Sequence, residues 1–158
     1  MNEATIRDFF EGITAATELD RAWAGAFVEE PSSDGTVVRR LRTVQLPQSY
    51  VVTPDHIAAL VDAAKAATLS LRALDAICFS LEASDQFEWD TDTAEGERVA
   101  HALFWLGSPE VNYPLSTTVL EKIRRYVLTG QDTFTSDDLR GARGPKRITN
   151  VWEPKRGA

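Results

Sequence analysis

The stretch Thr53-Pro54-Asp55-His56-Ile57-Ala58-Ala59-Leu60-Val61-Asp62-Ala63-Ala64-Lys65, followed after a brief joint by Leu71-Arg72-Ala73-Leu74-Asp75-Ala76-Ile77-Cys78-Phe79-Ser80-Leu81, decides the reading of the fold. A threonine ahead of a proline is a strong helix start. The threonine oxygen accepts a bond from an orphan amide, and proline at the first helical position forfeits nothing. Ile57, Leu60, Val61 and Ala64 then recur at helical spacing, and Leu71, Leu74, Ile77, Cys78 and Leu81 repeat the pattern. Thr68-Leu69-Ser70 is short enough only for a tight joint between antiparallel helices.

The same period extends outward. Ile6, Phe9, Phe10 and Ile13 predict a helix over Ala4 to Ala15. Leu19, Trp23 and Phe27 predict a second that runs until Pro31 stops it. Ser32-Ser33-Asp34-Gly35 is a turn, and Thr36 to Leu46 reads as a strand of imperfect alternation. Pro47-Gln48 would fold that strand back on Tyr50-Val51-Val52 as a hairpin. Farther on, Asp92 with Glu95 suits a helix start, and Val99 to Leu106 is apolar nearly all round until Gly107. Thr118 with Glu121 has the spacing of a capping box, ahead of a helix that ends at Gly130. A short helix is expected at Ser136 to Arg140. The fold expected is therefore mainly α, a single-domain bundle of about six helices with one candidate short β-hairpin. It occupies residues 1–140 and leaves 141–158 as a basic, partly ordered tail.

The chain has 158 residues, 43% of them apolar, which is enough to bury one core without a metal or a disulfide. Its single cysteine, Cys78, cannot form an internal disulfide and suits a reducing compartment. No basic leader and no stretch of about 20 apolar residues is present, so a cytoplasmic protein without membrane contact is expected. Net charge is −7, unevenly distributed. The last twenty residues carry six bases and one acid, leaving the first 138 with eleven bases against twenty-three acids, a net of −12. A body of that sign disfavours nucleic acid and suits a basic protein partner.

The densest acidic run is Glu82, Asp85, Glu88, Asp90, Asp92, Glu95 and Glu97, with Phe87 and Trp89 interleaved. In an extended segment Phe87 and Trp89 would share one side and Glu88 and Asp90 the other. The bland reading is a solvated surface, because like charges this close repel. The sharper reading is a partner-binding face built from Asp85, Glu88, Trp89, Asp90, Asp92 and Glu95. Arg39, Arg40 and Arg42 on the expected strand would pair with that acidic run. Asp90-Thr91-Asp92 has a spacing that can hold a divalent cation, but no calcium-loop pattern follows, so neither a metal nor another cofactor is assigned.

No nucleophile elbow, Walker loop or dinucleotide fingerprint occurs. The expected function is thus a small acidic binding protein of a bacterial type. Its most concrete form is an immunity protein or inhibitor that occludes a basic partner such as a toxin. Two other classes stay open. One is an enzyme whose metal or acid–base site is assembled from His56, His101, Asp90, Asp92 and Glu97. The other is a structural subunit, including a homo-oligomer. Cys78 reads as an inert buried thiol. The stiff connector Pro109 to Leu115 reads as packing, with Tyr113 turned toward the core.

Overall fold

The computed structural model describes residues 1–109, 112–139 and 148–155. Six α-helices are present among them: α1 (Ala4–Phe10), α2 (Ala16–Trp23), α3 (Pro54–Lys65), α4 (Leu71–Ala83), α5 (Ala94–Gly107) and α6 (Thr117–Thr129). They are joined by five strands: β1 (Phe27–Pro31), β2 (Val37–Val44), β3 (Tyr50–Val51), β4 (Phe87–Glu88) and β5 (Ile148–Lys155). The strands form a mixed three-stranded sheet of order β1-β2-β5 and a separate parallel pair, β3-β4. The expectation of a mainly α bundle is therefore corrected: the protein is α+β.

Helices α3 and α4 follow their sequence closely, whereas α1 stops at Phe10, short of the expected Ala15, leaving Ile13 70% exposed, and α6 is capped by Ser116 instead of Thr118. Thr53 caps α3 by accepting the His56 amide, with Pro54 at the first position. Lys65 ends the helix. Ala67 then takes a left-handed φ of 57° while its amide and that of Thr68 return to the carbonyls of Ala64 and Ala63. This is a Schellman ending made on alanine where glycine is usual, at a local cost of roughly 1 kcal/mol. The joint to α4 is fixed by Ser70, whose hydroxyl caps α4 and whose amide donates to Asp20 on α2 at 2.7 Å. Side chains at helical spacing meet in one core that includes Trp23, Ile57, Leu60, Leu74, Ile77, Leu81, Leu103, Leu106 and Ile123, all fully buried.

Three features of the β half differ from expectation. The second helix stops at Trp23, and Phe27–Pro31 is a strand instead of its continuation. Phe27 reaches the core from a strand, lying 5.7 Å from Phe79 and 4.3 Å from the Arg39 guanidinium. Its four-residue offset from Trp23 is thus no helical signal. The hairpin that forms is β1-β2, closed through Ser32 to Gly35 with Gly35 at φ 80°. The expected partner of β2, Tyr50–Val51, pairs with β4 instead. Lastly, part of the expected basic tail is ordered in a sheet: β5 pairs in parallel with β2 over its whole length, Val37 opposite Ile148 through Val44 opposite Lys155. The remaining tail bases, Arg140, Arg143, Lys146, Arg147 and Arg156, lie outside the described residues.

Two buried polar anchors join the sheet to the helices. On the inner face of β2, Arg39 is 8% exposed; its guanidinium pairs with Asp75 of α4 and donates to Asn150 of β5 at 2.8 Å. Its Nη2 and the indole Nε1 of Trp152 find no acceptor among the described residues, an unrecovered cost on this face. The outer face carries an ion ladder in which Arg40 meets Glu30 and Glu153, and Arg42 meets Glu153. The strand arginines thus pair within the sheet and with α4, not with the acidic run around Asp90 as expected.

The second anchor is Glu3, fully buried. Its backbone amide donates to the Val44 carbonyl. Its carboxyl group accepts from the Leu46 amide at 3.0 Å and from the hydroxyls of Ser84, Thr43 and Ser80 at 3.1, 3.3 and 3.5 Å. Burial raises its pKa above the ordinary value despite those donors. Both edges of β2 are taken, by β1 on one side and β5 on the other, so no edge is left for a hairpin with Tyr50–Val51, and Glu3 holds the chain by the Leu46 amide as it leaves the sheet.

Glu3→Leu leaves a buried amide without an acceptor and should cost about 3 kcal/mol in urea unfolding at neutral pH. Glu3→Gln keeps an acceptor, and its cost should be smaller. Because the folded pKa of Glu3 is raised, its contribution is complete below the unfolded pKa and declines as pH rises through the folded one. The wild-type advantage over Glu3→Gln should therefore shrink between acid and neutral pH; an advantage that grows with pH would contradict this account.

Candidate functional site

The acidic run occupies the end of α4, strand β4 and the start of α5. In β4 the side chains alternate as an extended chain requires. Phe87 is 5% exposed and Trp89 half-buried, while Glu88 and Asp90 are exposed. The strand is anchored by its neighbour: the amides of Tyr50 and Val52 donate to the carbonyls of Gln86 and Glu88 at 2.7 and 2.8 Å. The Ser49 hydroxyl donates to Glu88 at 2.7 Å and fixes that carboxylate.

Beyond the strand the acids are organised by local bonds. Asp90 accepts the Asp92 amide on its side chain at 2.9 Å, and its carbonyl accepts both the amide and the hydroxyl of Thr93. Thr93 then caps α5 by accepting the Gly96 amide at 3.0 Å. The cap is thus Thr93, one residue beyond the Asp92 suggested by spacing. Glu95 and Glu97 lie in the first turn of α5, where the helix dipole favours negative charge. That attraction offsets part of the mutual repulsion and explains how so dense an acidic run is tolerated.

Gly96 sets the position of the whole loop. A Cβ at Gly96 would lie 1.8 Å from the Asp90 carbonyl oxygen and 2.4 Å from its carbon. Only glycine lets the first turn of α5 approach the Asp90 backbone so closely. Sequence reading passed over this residue; its signal was a glycine in the first turn of a helix otherwise well built.

Of the expected site residues, Glu88, Trp89 and Asp90 come together with Val51 around one shallow depression of about 360 Å³. Asp85, Asp92 and Glu95 are exposed on the flanking turns and do not line it. Val51, 63% exposed, was not foreseen as part of the site, because the expected hairpin would have paired it with β2.

The residues considered for metal or acid–base work are dispersed. His56 stacks on Phe10 with centroids 4.5 Å apart and lies 5.6 Å from Tyr50. Its Nδ1 accepts the Thr53 amide at 3.1 Å, so that nitrogen must be unprotonated, and burial lowers its pKa. His101 belongs to a different aromatic group, with Nδ1 at 2.6 Å from the Tyr126 hydroxyl and the Trp105 ring 5.9 Å away. Cys78 is buried, and desolvation pushes its thiol well up. Tyr113 is half-buried and stacks on Phe134 at 4.4 Å. Among the described residues no group of three or more His, Cys, Asp or Glu side chains is arranged to hold a metal, and no helix is long and apolar enough to cross a membrane.

No protein-family model, curated protein or solved structure matches the chain. The site accordingly stands on its own chemistry: carboxylates held outward around an aromatic edge, with the Asp90 backbone in close approach to Gly96.

Two outcomes test this geometry. Gly96→Ala, which in an open helix would stabilise by up to about 1 kcal/mol, should here destabilise by about 2–3 kcal/mol in thermal unfolding, because the added methyl meets backbone. His56 should titrate by NMR with a midpoint below the ordinary histidine value of about 6.5. Its folded pKa is depressed, so its contribution to stability is present above the unfolded pKa and lost as pH falls through the folded one. The stability difference between wild type and His56→Gln should therefore fall on acidification below that value; a difference that rises would refute the neutral-cap assignment.

Proposed function

We propose that this protein is a binding module that presents its β4–α5 acidic face to a basic protein. Its most concrete form is an inhibitor or immunity protein that occludes a basic toxin. The observation that carries the reading is the outward set of Glu88 and Asp90 around the half-buried Trp89 and the exposed Val51. Carboxylates round an apolar centre fit the division of labour at protein interfaces. Charge accelerates encounter, and a desolvated aromatic slows departure. Asp85, Asp92 and Glu95 flank the depression and extend the negative field without filling the contact, so their part is steering.

The Asp90 side chain also caps its own loop, which decides how the reading is tested. Asparagine keeps the oxygen that accepts the Asp92 amide and removes the charge, so Asp90→Asn separates electrostatics from loop structure. The protein, immobilised as bait in lysate of its source cells at low and raised salt, should retain a basic protein at low salt. The pair Asp90→Asn and Asp92→Asn should lower its association rate about tenfold. Trp89→Ala should act mainly on dissociation. If retention is indifferent to these changes while Arg72→Gln on α4 alters it, the binding surface lies elsewhere and the acidic run is a solvated face.

A further inference from the structure

A groove along α6 gathers three cationic side chains around a single acid. Thr117, Glu121 and Arg125 follow one another at four-residue spacing, with Thr118 and Lys122 beside them. Lys65 at the end of α3 and Thr133 from the segment after α6 complete the lining of an open groove of about 550 Å³. That volume lies within the range of small-molecule sites, whereas flat protein epitopes are shallower.

Its polar lining is nearly all donor. Glu121 is the single acid in the lining, and it is engaged by Lys65, whose hydrogen bond and charge hold the Glu121 carboxylate below its ordinary pKa. Lys122 is 22% exposed and is steadied from behind by both oxygens of Asp138, at 2.9 and 3.1 Å. Arg125 is exposed and makes no ion pair among the described residues. Two ammonium groups fixed by their own partners, an uncommitted guanidinium fork and three threonine hydroxyls converge on one space. Pre-set donors of this kind suit a ligand rich in acceptor oxygens.

We infer that this groove binds a small phosphate-bearing molecule. The rest of the chain narrows the ligand class. A nucleic acid would need a longer track of bases than three, and an extended polyanion would run close to the carboxylates that give residues 1–138 their net −12, whereas charges farther than a Debye length of about 8–10 Å are screened. A compact ligand with one or two phosphates meets only the local field. Lysine ammonium groups serve it as point charges, the arginine fork engages two oxygens at once, and the hydroxyls turn to fit a third. The threonine methyls and lysine stems offer an apolar wall for the organic part.

The test uses the intact protein with three probes at constant ionic strength: inorganic pyrophosphate, adenosine diphosphate and glycerol phosphate. Calorimetry should show saturable binding of at least one, and the amide resonances of Thr118, Lys122 and Thr133 should move on titration. Binding of pyrophosphate alone assigns the phosphate subsite; tighter binding of a nucleotide or glycerol ester shows that the organic part is also held. Arg125→Gln should weaken binding about tenfold, the loss of one charge-assisted contact, while Arg72→Gln, the same charge change on α4, should leave it within about twofold. Absence of saturation with all three probes overturns the inference. So do equal losses in the two arginine variants, which would mark general ionic screening, and shifts confined to other elements. These readouts are independent of the acidic face, whose Asp90→Asn and Asp92→Asn variants should bind the probes like wild type.

Discussion

The burial of the Glu3 carboxyl group is the interaction on which the arrangement of layers depends. One side chain from the N-terminal segment accepts from the end of β2, from the connection that follows it and from two serines on or just after α4. An anion placed there without donors would be strongly unfavourable, and four donors around a single carboxyl group define one position for each of the segments that supply them. The N-terminal segment is thereby laid along the end of β2, and the chain leaves the sheet at Leu46 toward β3. With Arg39 tied to Asp75 and Asn150, the sheet is fixed to α4 at two points along its inner face. Phe27, Leu41 and Trp152, in register on that face, supply the apolar surface between them.

The acidic face inherits its geometry from this frame. Once the chain passes from Leu46 into β3, Tyr50 and Val51 are available to pair with Phe87 and Glu88 rather than with β2. That pairing decides which side of β4 faces outward. The contact of Gly96 with the Asp90 backbone then sets how the loop meets α5. Negative charge at the start of α5 is compatible with helix stability, so the same residues satisfy the fold and leave carboxylates exposed. A structural reason for the acids of α5 does not extend to Asp85 and Glu88, which lie outside that helix.

Charge segregation gives the protein two surfaces of opposite character. The β4–α5 face displays acids around Trp89, whereas α6 gathers Lys122, Arg124 and Arg125 with Lys65 of α3 nearby. Exposed ion pairs such as Arg124 with Asp62 contribute at most about 1 kcal/mol each. Their main effect is to restrain long side chains. In the α6 groove that restraint acts on Lys65 and Lys122 and reduces the entropy lost when they are engaged.

Periodicity in the sequence determined the helices: α3 with its Thr53-Pro54 start, α4, the apolar part of α5 and α6 with its Gly130 end. Each depends on interactions within about four residues. The Asp34-Gly35 turn was equally legible, as was the alternation of Phe87, Glu88, Trp89 and Asp90. The partners of the strands were not. Phe27 satisfied helical and strand spacing equally, and only its position over Arg39 and Phe79 distinguishes the two. Residues 148–155 look like tail in isolation, because Asn150, Glu153 and Pro154 weaken the strand signal of Ile148, Thr149, Val151 and Trp152; pairing with β2, more than a hundred residues away, orders them. The same holds for the site. Its acids and Trp89 stood out by local density, whereas Val51, Ser49 and Gly96 joined it through contacts across 39 residues and a close backbone approach. Local sequence reports local energy, and the register of a sheet is decided by which distant backbone groups remain to be satisfied.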